Sequence, residues 1–464
     1  MSMSDGRAAT RRHRTGSRPR RWVVVVAVVV GVILALVLWI VIRGLLARDA
    51  LTGAMPLVSE AKSAIIAGDG DKAAELLGEV RDHADEAASL TSDPIWRAGE
   101  IVPWAGTNLR AFREAAGTIQ TVADDGLPPI VTLSRTLTLS SFAPKDGVFD
   151  LTPFATAEPD LAAAQAAIDA ARTRAHAIDT QGVVPQIGDA VDELVGVIDD
   201  AGSTVDGLAT AAKLMPTMLG GQGPRDYLLL SLNNAELRST GGIAGAMAVI
   251  HVDQGRMTLG AIASTSDIGE FPQPVLPLTP AEQTLYGRLP GIFIQDVNLT
   301  PDFARSGQLA QAMWQQKRGQ TVDGVIAVDP VALAHLLGAT GDVPVGDGIT
   351  LTSSNAVDLL LSQVYAKFPE PRAQDAFFAG VTKAIIAKAL GGGIDGSRLV
   401  NALVTSGQEQ RIHVWSAHTD EQKLIAGTSL ATAEPVEEKG KTGLGVYLND
   451  GTGAKMDYYL RARI

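Results

Sequence analysis

RDYLLLSLNNAELRSTGGIAGAMAVIHVDQGRMTLGAIASTSDI, residues 225–268, reads as three strands tied by one polar, glycine-rich loop. Residues 227–232 and 246–252 are apolar runs of strand length, and 257–263 is a third, entered through the turn Asp253-Gln254-Gly255. Between the first two lie Asn233, Asn234, Glu236, Arg238 and the pair Gly241-Gly242. Two roles suit such a loop: a ligand site hung on two apolar strands, or a surface turn whose glycines supply positive φ.

Downstream, residues 269–298 hold Pro272, Pro274, Pro277, Pro280 and Pro290. So many prolines exclude a sheet interior, and the segment is expected to wrap the mouth of a domain over 220–430. Thr300-Pro301-Asp302-Phe303 predicts a helix opened by cap and proline and running to 317. Residues 322–328 read as a buried strand, and Asp329-Pro330 as the cap of a helix over 331–337 ending at Gly338. Strand followed by helix at this spacing predicts an α/β fold with a mixed sheet covered by helices. Further helices are expected over 355–365, 375–390 and 398–405, and a strand over 412–415. Residues 431–464 are expected to form a C-terminal β-hairpin, 445–449 against 456–463 around Asp450-Gly451-Thr452-Gly453.

Upstream, residues 50–215 carry apolar residues at three- and four-residue spacing, which predicts a helical bundle. Gly68-Asp69-Gly70-Asp71 separates its first two helices, and 94–108 makes a corner in which Trp96 and Trp104 are expected to pack. Long Ala- and Asp-rich helices follow over 158–178 and 187–212. A stalk that pairs two chains is the alternative, but no strict heptad holds.

Ahead of the bundle, residues 22–42 contain no charge and form a helix about 31 Å long, matched to a bilayer core. Trp22 and Trp39 lie near its ends, Arg43 and Arg48 follow, and the tail over 1–21 holds seven arginines against Asp5. That asymmetry predicts a signal anchor in the cell membrane, single-pass, with the N-terminus cytoplasmic and everything after residue 45 extracytoplasmic. The formal net charge is −12; the tail carries +6, which leaves −18 for the rest. An acidic body repels nucleic acid, so an anionic ligand has to be captured by a local arginine cluster. With no cysteine in 464 residues, disulfides, thiolate catalysis and Cys-zinc sites are excluded.

Motifs with chemistry are few. Gly391 to Gly396 satisfies G-x-G-x-x-G but follows a helix, so it reads as a joint between helices. No P-loop, H-E-x-x-H or G-x-S-x-G occurs, and His413 and His418 have no zinc spacing. What remains is Arg225, Arg238 and Arg372 against Glu236, Asp267, Asp296 and Asp302. Arginine binds phosphate bidentately, and one or two carboxylates can share Mg²⁺ with a pyrophosphate; surface ion pairs use the same residues.

Two resemblances bear on that choice. PWAGTN at 103–108, YLLLSLNNAELRSTGG at 227–242 and VDGVIAVDP at 322–330 are similar to a family of actinobacterial membrane-anchored proteins known as a domain of unknown function. Residues 226–390 also resemble the catalytic domain of the LytR-CpsA-Psr family, which moves glycopolymers from a polyprenyl-pyrophosphate carrier to the cell wall. The shared order is a strand into an arginine-bearing loop (228–238), a strand pair ending at Asp267, Asn298 before a helix, a strand and helix over 322–343, and RAQDAFF at 372–378. Departures from that pattern are Asn233 in place of an Asp, Gly245-Ala246 in place of Ser-Asp-Thr, and Thr265-Ser266-Asp267 in place of Pro-Arg-Asp.

The resemblance implies an envelope protein that handles a polyprenyl-pyrophosphate-linked saccharide in polysaccharide or cell-wall assembly. In an enzyme, Arg238 and Arg372 would clamp pyrophosphate, Asp267 and Asn233 would lie near Mg²⁺, and Asn234 and Glu236 would order the loop, with Asn233, Asn234, Glu236 and Asn298 as the ligand-binding residues. The competing expectation is a non-catalytic scaffold that holds envelope-assembly proteins at the membrane lipid, and a third is an extracellular solute receptor.

Overall fold

The computed structural model describes residues 21–67, 69–136, 143–346, 348–391, 394–432, 443–452 and 455–460. Most of the arginine-rich tail and part of the glycine joint lie outside them.

Helix α1, Arg21–Ala67, carries the apolar segment and continues unbroken into the bundle. It is long and apolar enough to cross a membrane. Asp69 accepts the Lys72 N–H and so opens α2, Gly70–Thr91, which returns along α1. α3 (Pro94–Gly99), α4 (Ala105–Thr121), a π turn and α5 (Leu127–Thr136) follow, then the long pair α6 (Thr152–His176) and α7 (Pro185–Met218). Alanine lets these helices approach closely: Ala47, Ala50, Ala87 and Ala116 form one buried seam, and Ala171, Ala175 and Ile198 another. The helices thus find partner faces within the chain, as the bundle reading expects.

Trp104 departs from its expected role. Trp96 is buried, its indole donating to Leu109 O at 3.0 Å, whereas Trp104 is 73 % exposed. At φ 68° the Trp104 backbone is left-handed and sends the indole away from the bundle.

The second half is a five-stranded mixed sheet whose strands lie in the order Arg256–Ser264, Ile243–Asp253, Arg225–Asn233, Gly324–Val328 and Ile412–Ser416. β1 is Arg225–Asn233, β2 Ile243–Asp253 and β3 Arg256–Ser264, three strands where the sequence predicts them, paired as an antiparallel meander. α8 (Thr265–Ile268), α9 (Pro280–Tyr286), α10 (Leu289–Ile292) and a 3₁₀ segment (Ile294–Leu299) occupy the proline-rich stretch. α11 (Phe303–Arg318) leads to β4 (Gly324–Val328), which pairs parallel to β1. Then come α12 (Pro330–Thr340), a small hairpin of β5 (Val343–Gly346) and β6 (Ile349–Leu351), and a broken helix of α13 (Ala356–Asp358), a π turn and α14 (Val364–Lys367). α15 (Pro371–Leu390), α16 (Gly396–Gln408), β7 (Ile412–Ser416) and α17 (Thr419–Ile425) complete the domain.

Alternation along the strands buries both faces. Leu228, Leu230, Leu232, Met247, Val249 and Val325 pack on Phe303, Leu309, Met313 and Trp314. Tyr227, Ile250 and Val252 face the other way, onto Phe154 and Leu219 from the end of the bundle. Tyr227 also donates to Met218 O at 2.9 Å, which ties β1 to α7.

Several boundaries differ from expectation. α11 is capped by Asp302, whose carboxylate accepts the Ala304 N–H, so Pro301 precedes the cap. α12 runs past Gly338 to Thr340 and stops at Gly341, φ 80°. α15 begins at Pro371. The expected C-terminal hairpin is contradicted in its described part: 443–452 holds no strand and Met456–Tyr459 is a 3₁₀ turn. Thr452 still turns back on Asp450, its N–H and hydroxyl donating to the carboxylate at 2.8 and 2.9 Å, but Asn449, Asp450 O and Asp457 bond to the β1–β2 loop and no strand pairing forms there.

Candidate functional site

β1 and β4 end side by side, Ser231 opposite Val328, so Asn233 and Asp329 mark the carboxyl edge of the parallel pair. Ligands of open α/β sheets bind outside that edge. The β1–β2 loop crosses it. Gly241 has φ 116°, and a β-carbon at Gly242 would lie 2.3 Å from Asn233 O, so the loop folds back this tightly only with glycines.

Apart from Thr240, each polar side chain of the loop has a partner. Asn233 Nδ2 donates to the Tyr365 hydroxyl at 2.6 Å, and Asn234 Nδ2 to Asp329 Oδ2 at 2.7 Å. Glu236 pairs with Lys455 at 3.0 Å, and the Lys455 ammonium lies 4.5 Å from the centre of the Tyr365 ring. Arg238 Nη2 donates to Asp296 Oδ1 at 2.9 Å, and its Nη1 to Asp450 O at 2.7 Å. The C-terminal segment adds more: Asp457 accepts the Leu237 N–H at 2.8 Å, and Asn449 accepts the Ser239 N–H at 2.9 Å. Burial, reinforced by the Glu236 charge, pushes the Tyr365 phenol well above its ordinary range, against the Asn233 hydrogen bond.

Not every atom is satisfied. Asn234 Oδ1, Thr240 Oγ1 and Asn298 Oδ1 are buried without a hydrogen-bond partner. The orientation of both amides follows from their other bonds, Asn234 Nδ2 to Asp329 and Asn298 Nδ2 to Gly242 O. Unpaired buried oxygens call for water or for ligand donors.

Asp267 and Arg372 stand at the far side of the same edge. Asp267 Oδ2 accepts the Ser264 N–H at 2.8 Å in a capping box, and that bond, against slight burial and aided by the Ser264 hydroxyl and Arg318, holds its carboxyl below the usual range. Ser266 Oγ donates to Asp375 Oδ2 at 3.3 Å, which brings the first turn of α15 to this corner. Arg372, in that turn, is exposed and pairs with no acid among the described residues. No hydrogen bond or ion pair joins Arg238 to Asp267 or Arg372 among those residues.

Arg225 belongs elsewhere, at the opposite end of β1, bonded to Asp323 at 3.1 Å and Glu421 at 3.3 Å. Among the described residues no three His, Asp or Glu side chains stand close enough to hold a metal. A cavity of about 550 Å³ lies between β6 and the broken helix, lined by Ile349, Thr350, Asn355, Leu359 and Gln363, and includes none of the loop. Sequence reasoning missed Tyr365, Lys455 and Asp457; only their side-chain types, polar groups near turns, pointed to them.

Residues 222–365 match the model of a family described as "Protein of unknown function (DUF4012)". No curated protein matches the chain. Among solved structures, the chain is similar to one described as the transcriptional regulator yvhJ from Bacillus subtilis, at 11 % identity and a TM-score of 0.24, covering 51 % of this chain and 94 % of that one.

Proposed function

We propose that this chain is a single-pass envelope protein, N-terminus cytoplasmic, whose outer domain binds a lipid-linked saccharide intermediate and holds it for partner assembly enzymes without transferring it. The observation that carries this reading is the state of the β1–β2 loop. Its one arginine is neutralised by Asp296, while the buried oxygens of Asn234, Thr240 and Asn298 remain unpaired. Such a loop has no free cation for a pyrophosphate, and its unpaired acceptors are enclosed, so hydroxyl donors reach them as the loop opens. The span over 22–42 and the arginine-rich tail support the orientation.

Titration of the full-length protein in nanodiscs with a polyprenyl-pyrophosphate saccharide tests it. Binding that inorganic pyrophosphate does not displace is expected; displacement by pyrophosphate alone would count against a hydroxyl-reading loop.

A second reading, a phosphotransferase-like ligase, draws support from the exposed Arg372 close to Asp267. There Arg372 would meet the pyrophosphate, and Asp267 Oδ1, the oxygen not engaged by Ser264, would face Mg²⁺.

A further inference from the structure

The corner between α3 and α4 exposes an apolar tip whose height along α1 identifies what covers it. Ile101 is 84 % exposed, Val102 52 % and Trp104 73 %, with Pro103 also exposed. A β-carbon added at Gly44 would lie 3.5 Å from the Trp96 indole, and one added at Gly99 would lie 2.9 Å from Ile40 Cδ1. From Trp96 to Gly99 the chain therefore descends along α1 from residue 44 to residue 40, about 6 Å at the helical rise, towards the apolar segment. Residues 101–104 continue beyond Gly99, and α4 then turns back, with Leu109 again beside Gly99.

The tip thus reaches the level at which α1 itself is uncharged and exposed, at Trp39, Val41 and Ile42. Arg43 fixes that height from the α1 side: its Nε donates to Leu90 O at 2.7 Å and pairs with Asp93 at 2.9 Å, just before α3. The tip is also braced. Trp104 holds a left-handed backbone, and its carbonyl accepts from the Thr107 hydroxyl at 3.0 Å and the Asn108 amide at 2.8 Å. Arg97 and Arg110 are exposed in the helices on either side.

We propose that residues 101–104 form a second membrane contact, a tip that enters the interface of the leaflet facing the bundle, beside the span. An indole with aliphatic neighbours suits that layer, and flanking arginines suit lipid phosphates. The inference rests on the reading that residues 22–42 cross the bilayer. With two contacts, the span and the tip, the bundle is held in orientation to the membrane as well as tethered to it.

The chain has no cysteine, so single labels can be placed without background. The full-length protein in lipid vesicles is spin-labelled separately at Val30→Cys, Ile101→Cys, Val102→Cys and Asp71→Cys, and its accessibility to oxygen and to a water-soluble nickel chelate is compared. Asp71, in the first turn of α2 just past the far end of α1, is 95 % exposed. Labels at 101 and 102 are expected to be shielded from nickel several-fold more than the label at 71. Nickel access at 101 and 102 equal to that at 71, with the label at 30 shielded, would overturn the tip while leaving the span intact. Nickel access at 30 as well would remove the span and the tip together.

Discussion

Arg238 and Asp296 form a buried ion pair in the β1–β2 loop, Nη2 to Oδ1 at 2.9 Å and Nε to Oδ1 at 3.3 Å, with side chains 9 % and 12 % exposed. Removing one partner strands the other charge away from water. Asp296→Ala should therefore destabilise the domain by about 3–5 kcal/mol, and Arg238→Ala by a similar amount. Urea unfolding checks this, and the double variant Arg238→Met with Asp296→Leu should recover most of the loss. Loss of ligand binding in Arg238→Ala then has meaning only beside its unfolding curve.

The C-terminal segment is fastened to the loop by polar contacts, the Asp457 carboxylate on the Leu237 N–H and Lys455 on Glu236. A hydrogen bond to a charged group contributes about 1.5–3 kcal/mol. Asp457→Ala should raise the opening of residues 455–460 by roughly 10- to 150-fold at a tenfold change per 1.4 kcal/mol. Limited proteolysis of the full-length protein measures it, and an unchanged cleavage rate would show that the segment is held by something else.

His413 is buried between the Phe303 ring and the Thr432 hydroxyl. Burial pushes its imidazole down to about 4, against the opposing pull of Asp329 and the Thr240 backbone. The folded state therefore keeps His413 neutral while the unfolded chain takes a proton below the ordinary value of 6.5. Stability from this residue is complete above that pH and falls by about 1.4 kcal/mol per pH unit as the pH drops towards 4. Subtracting the pH profile of His413→Leu from that of the wild type isolates this slope in detergent-solubilised protein.

Tyr365 donates no proton to bulk solvent in the ordinary alkaline range, because burial holds its phenol neutral. Tyr365→Phe should leave the ultraviolet absorbance change between pH 9 and 11 unaltered. The same substitution removes the acceptor of Asn233 Nδ2 and should cost about 1–3 kcal/mol in urea unfolding.

The meander over 225–264 was legible because its apolar runs are strand-length and Gln254-Gly255, at φ 46° and 76°, supply a two-residue turn. A mixed sheet covered by helices followed from a strand that leads into a helix capped at Asp329, whereas the pairing of β4 with β1 was set by tertiary contact. The short β5–β6 hairpin escaped notice because its Pro, Gly and Asp residues resemble a loop. Asn449 and Asp450 were misplaced for a physical reason. Residues that make turns also bond to the backbone of other segments, and local sequence does not say which. Trp104 shows the same limit, since an indole at a corner suits a core and a membrane interface equally. Arg238 was identifiable as a candidate phosphate ligand, but its burial and its counter-ion, Asp296, depended on tertiary contact.

The most direct measurement follows the full-length protein in vesicles, supplied with a polyprenyl-pyrophosphate saccharide and Mg²⁺, by the release of polyprenyl phosphate. Holding without transfer predicts that the lipid is bound and recovered unchanged. Release that requires Mg²⁺ and disappears in Arg372→Ala and Asp267→Asn would contradict it.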